Sequence, residues 1–171
     1  MAALHSSLLF AAALLAAPAT AQPSSEGFNA GDYFAPFMLI CLKDYGNADR
    51  QVQLAREMQK ATKAPMWKLV SEQVGAGKTQ LTFQGATVVV DPQNKRSCSV
   101  AMQVGEAVSL DAFASGIAKA IGGIRPTKQN DEMVWILKVG GENTPPLLLA
   151  ASTTSDAGKN SVRLRIQDSG L

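Results

Sequence analysis

Cys41 and Cys98 are the chain's only cysteines, and the chemistry open to them is oxidation to a disulfide. Each falls on the apolar face of a predicted element. Phe34, Phe37, Met38, Cys41 and Leu42 recur at i, i+3, i+4, i+7 and i+8, which is one face of a helix. Cys98, Val100, Met102 and Val104 alternate with more polar neighbours, as on a half-buried strand. A helix packed on a sheet would aim both sulfurs at one core, as a disulfide requires. In the chain-entropy model a bridge closing so long a loop is worth on the order of 4 kcal/mol. The spacing excludes a C-x-x-C redox motif, and two separate buried thiols are the alternative.

Other residue types offer less. The single histidine is His5, inside a segment expected to be removed. The mature chain would then lack imidazole for a Ser-His-Asp or Cys-His system, or for holding zinc, copper or iron. Gly75-Ala76-Gly77-Lys78-Thr79 imitates the end of a phosphate-binding loop, but the full pattern needs glycine where Glu72 stands. A helix is expected before this segment and a strand after it, the reverse of a phosphate cradle. It reads as a glycine turn, and no cofactor is expected. Asp131 and Glu132 are adjacent at the start of a strand, so their side chains diverge, and Asp91 stands beside a turn. Trp135 reads as core, between Met133 and Leu137. Trp67, after Pro65, is the candidate for a pocket lip, and Arg163 with Arg165 for a small basic surface that takes an anion or acidic partner.

The first 21 residues decide the compartment. Leu8–Ala17 is an unbroken apolar run, Pro18 breaks it, and Ala19-Thr20-Ala21 has the small-x-small form of a signal-peptidase site. The run is about ten residues long, against roughly 20 needed to span a bilayer. Export to the periplasm or beyond, with cleavage after Ala21, is therefore expected, with no stable membrane insertion afterwards. Oxidising conditions there favour pairing of the cysteines. The formal charge of +2 is too small and too scattered to indicate a nucleic-acid partner. An apolar content of 46% indicates a folded core.

Polar Gln22–Gly31 reads as a flexible leader, and residues 32–171 as one domain. The first helix has Asp32 as its expected N-cap, with Pro36 tolerable only in the first turn. Leu39 and Ile40 occupy its other side, so it is expected to be largely buried. A second helix, capped by Asn47 or Asp49, runs to about Lys63 with Leu54, Ala55, Met58 and Ala61 as its core stripe. Strands follow at Thr79–Gln84, Thr87–Asp91 and Ser97–Val104. Ser109 caps a third helix ended by Gly122-Gly123, and Met133–Val139, Leu147–Thr153 and Ser161–Gln167 close the chain as strands. The expectation is an α+β fold in the order ααβββ-αβββ, an antiparallel sheet with helices on one face.

This layout, with Cys41 in a buried helix, Trp67 after the second helix and Cys98 starting a strand, resembles small exported bacterial proteins of unknown function. The resemblance implies no activity. The favoured reading is a non-catalytic binding module whose partner is an envelope protein or a foreign enzyme that it inhibits. The alternatives are a hydrolase using carboxylates or Ser and Lys, and a carrier of a small apolar ligand. A deep pocket with converging titratable groups would mark the hydrolase, and an apolar cavity the carrier.

Overall fold

The computed structural model describes residues 28–139, 144–156 and 158–170. The predicted signal, Met1–Ala21, and the leader as far as Gly27 lie outside them. The described chain is α+β. Three helices, α1 (Ala30–Phe37), α2 (Ala48–Thr62) and α3 (Leu110–Ala120), cover one face of an eight-stranded antiparallel sheet. Its strands are β1 (Leu69–Gly75), β2 (Lys78–Phe83), β3 (Ala86–Asp91), β4 (Ser97–Val104), β5 (Thr127–Gln129), β6 (Glu132–Leu137), β7 (Leu147–Asp156) and β8 (Lys159–Asp168).

The spatial order is β1-β2-β3-β4-β8-β7-β6-β5. Each half is a four-stranded meander preceded by a helix, and the halves meet at β4 and β8, where Val100 opposes Leu164. Exchanging the halves reproduces the same order read backwards, so the sheet has an approximate two-fold axis between β4 and β8. Helix α2 lies over β2 and β3, α3 over β6 and β7, and α1 over the central pair.

Alternation puts Val88, Val90, Val100, Leu149, Val162 and Leu164 under the helices, all buried. The other face carries Arg163, Arg165 and Gln167 on β8, so it is wet, as antiparallel sheets permit.

The start of α1 departs from expectation. Its N-cap is Asn29, whose Oδ1 accepts from the Gly31 N–H at 3.0 Å, while Asp32 lies within the first turn. Phe28, within the expected leader, packs on the domain, its ring stacking on Tyr33 and meeting Phe113 edge-on. Pro36 sits late in α1 instead of in its first turn. It has no N–H to continue the ladder, and the helix widens directly afterwards into a π turn, Met38–Leu42. That turn is closed by the Lys43 N–H donating to the Met38 carbonyl at 3.0 Å.

Helix α2 begins at Asn47, whose Oδ1 accepts from the Arg50 N–H. Its packed stripe is Gln51, Val52, Leu54, Ala55 and Met58. Ala61, expected in that stripe, is exposed because packing ends one turn earlier. Ser109 caps α3 as expected.

Two strands went unpredicted. The residues before β2 form β1, joined to it by a tight turn at Ala76 and Gly77, both with positive φ. The Gly-Lys-Thr segment thus lies between two strands, not after a helix, and no helix N-terminus follows it. β5 is a three-residue edge strand on β6.

Candidate functional site

Cys41 and Cys98 form a disulfide with Cα atoms 5.5 Å apart, joining the π turn to β4. Gln51 reaches the same place from α2, its Nε2 donating to the Cys41 carbonyl at 2.9 Å. It is the buried polar side chain of this core. On this flank of α1 the seam between helices and sheet is therefore bolted by one covalent bond and one buried hydrogen bond.

The other flank is open. A groove of about 930 Å3 runs between α1 with its π turn, the end of α3 and the end of β6. Phe34, Met38 and Leu42 form one wall, spaced as a single helical face. Ile121, Ile124 and Leu137 form the other. Met38 is 41% exposed, Ile124 44% and Val139 51%, although residues of their type normally gain about 1.5–3 kcal/mol each from full burial. The expectation that this helix is largely buried is thus corrected: Phe34, Phe37 and Ile40 are buried, but Met38 faces solvent in the groove.

Two contacts position the groove. A Cβ built on Gly116 of α3 would stand 2.3 Å from the Ala30 Cβ, so only glycine lets α1 and α3 approach this closely. Trp135, fully buried in β6, donates its indole Nε1 to the Ile124 carbonyl at 3.0 Å and holds that loop against the wall. Its expected core role is also where the structure places it.

The titratable lining residues of the groove are Lys43 and Lys138; it has no carboxylate, hydroxyl or thiol. Neither lysine pairs with a carboxylate among the described residues. Asp44, next to Lys43 in the chain, is turned to Arg50 at 3.6 Å. A polar cluster lies at one end of the sheet's central strands. Arg96 grips Asp168 with two hydrogen bonds, of 2.8 and 2.9 Å, and the Tyr45 hydroxyl donates to the same carboxylate at 3.0 Å. The Arg96 guanidinium chiefly, with Tyr45, holds Asp168 below the usual carboxylate range. Burial, then the bond to Asp168, pushes Tyr45 up. This cluster fastens the end of β8 to the β3–β4 turn. Arg56 similarly joins α2 to Glu72 on β1, holding that carboxyl low.

The residues singled out from sequence are not brought together. Trp67 is 2% exposed and packs edge-on against Phe83 at 5.3 Å, so it presents no pocket lip. The short turn after Pro65 folds it under β2 instead of leaving it at the surface. Arg163 and Arg165 lie on the opposite face of the sheet from the groove, and Arg165 is held by Glu132 at 2.9 Å. Phe34, Met38, Leu42 and Leu137 carry the periodicity of core residues, which looks the same whether a neighbour covers it or not, and Ile124 carries no signal in the sequence.

No helix among the described residues is long and apolar enough to cross a membrane, and no cluster of acidic, Cys or His side chains there could hold a metal. No protein-family model matches this chain, and no curated protein and no solved structure matches it either.

Proposed function

We propose that this is an exported, non-catalytic binding module and that it carries a small apolar ligand in the groove between α1, α3 and β6. The observation that carries the reading is an apolar groove of about 930 Å3 within the size range of small-molecule sites, roughly 300–1,000 Å3. Its lining offers Lys43 and Lys138 no carboxylate, hydroxyl or thiol to work with, and this favours binding over reaction. Export is supported by the N-terminal pattern and by the disulfide, which suits an oxidising compartment.

The test is native mass spectrometry of the oxidised protein recovered from its own host, with organic extraction of whatever is bound. An apolar small molecule is expected on the wild type and not on Met38→Glu/Ile124→Glu. Both residues already contact solvent, so this variant is expected to melt within a few degrees of the wild type. A wild type that carries nothing, or a variant that carries the same molecule, overturns the reading.

A second reading, docking of an acidic protein partner on the outer sheet face, is favoured by one observation. Ile136 is 57% exposed there, cross-strand from Leu148 and on the same face as Arg163 and Arg165. Under that reading Ile136→Asp/Arg163→Glu abolishes partner binding, while the groove variant leaves it intact.

A further inference from the structure

Resting on the carrier reading, we infer that the ligand is a single-chain amphiphile with an anionic head. Its chain lies between the Met38 and Ile124 walls and its head meets Lys43 and Lys138. Three observations converge on this.

The walls are apolar and continuous, so they fit a hydrocarbon chain and offer nothing to a polar body. The charged groups of the lining are both cationic, and neither has a carboxylate partner among the described residues. Asp44, the acid nearest Lys43 in sequence, is drawn to Arg50. Exposed ammonium groups in the lining of an apolar groove select a ligand that carries an anion.

The two stretches outside the described residues that follow the expected signal supply no substitute, and Ala157 and Leu171 are single residues. Gln22–Gly27 reads QPSSEG and residues 140–143 read GGEN. Neither stretch has a large apolar side chain with which to fill the groove. The occupant is therefore a separate molecule whose apolar length matches the walls and whose charge matches the two lysines.

The chemistry is shared by fatty acids and by single-chain phospholipids, so the test uses both. Calorimetric titration of the exported protein, its N-terminus fixed by intact mass, compares laurate, lauroyl lysophosphatidate and uncharged dodecanol. The anions are expected to bind about tenfold tighter than dodecanol, the usual order for one hydrogen bond to a charged group. The double variant Lys43→Gln/Lys138→Gln is expected to lower anion affinity to that of dodecanol and to leave dodecanol unchanged. Added salt weakens the anions only. Shortening the chain by two methylenes costs about tenfold for every probe.

The preference between laurate and lysophosphatidate identifies the natural head. Equal binding of anions and dodecanol by the wild type, or an unchanged double variant, overturns the inference and leaves the carrier reading standing. Binding of no probe by the wild type, or binding that survives Met38→Glu/Ile124→Glu, overturns both.

Discussion

The two halves of the sheet have the same strand order, yet their helix-facing sides are finished differently. Over β1–β4, α2 and the π turn close the core with Trp67, Gln51 and the Cys41–Cys98 bridge. Over β5–β8, α3 packs beside α1, and a groove between the two and the end of β6 stays open to solvent. The first half closes its helix-facing side and exposes large apolar residues on edge strand β1, at Leu69, Val70 and Val74, whereas the second leaves an apolar groove between its helices and the sheet. That difference makes the groove, where Met38, Ile124 and Val139 are exposed around one concave surface, the place to test for binding.

The comparison breaks most forcefully at the disulfide. Cys98→Ser, or reduction, is expected to cost on the order of 4 kcal/mol and to lower the melting temperature by roughly 10 °C. Thermal unfolding with and without reductant measures this, and full alkylation of the unreduced native protein would refute the bridge. Gly116→Ala tests the other half. Its Cβ collides with Ala30, so α1 must move off α3. A loss of about 2 kcal/mol, as for other overpacked sites, is expected in urea denaturation, together with weakened groove binding. A variant as stable as the wild type would mean that the two helices separate freely.

Gln51→Leu sharpens the closed half, since the Cys41 carbonyl loses its donor. An unsatisfied buried acceptor costs about 1–3 kcal/mol, with groove binding unchanged. The smallest effect belongs to Asp168. Its folded pKa is depressed, chiefly by Arg96, so its contribution is present above the unfolded value of about 4 and lost as pH falls through the lower folded one. The pair is partly solvent-exposed, and Asp168→Asn is expected to cost less than about 1 kcal/mol at pH 7 and progressively less as the medium is acidified. Urea midpoints across that range decide it.

The sheet was legible where burial imposes a period of two. Val88 and Val90, Cys98 to Met102, and Val162 to Ile166 announce their strands because one face is packed and the other wet. β1 hid because every one of its residues is exposed and its register shifts between Leu69 and Ser71, which erases alternation. β5 is three polar residues at an edge. Pro36 was readable as an obstacle to the helix, but not as the prelude to a π turn. The candidate site was illegible for a different reason. Met38 looks like core in the sequence and Ile124 follows a glycine stop with no periodicity of its own, so only the packed arrangement shows that both border a groove. The disulfide could be anticipated because both cysteines sit on apolar faces of neighbouring elements.

The bond from the Trp135 indole to the Ile124 carbonyl places a natural fluorophore directly behind the groove wall. The chain's other tryptophan, Trp67, is packed against Phe83 in the opposite half. Filling the groove therefore shifts the emission of one indole and leaves the second as an internal standard. Binding in the groove, where it occurs, is then readable without a dye or a label.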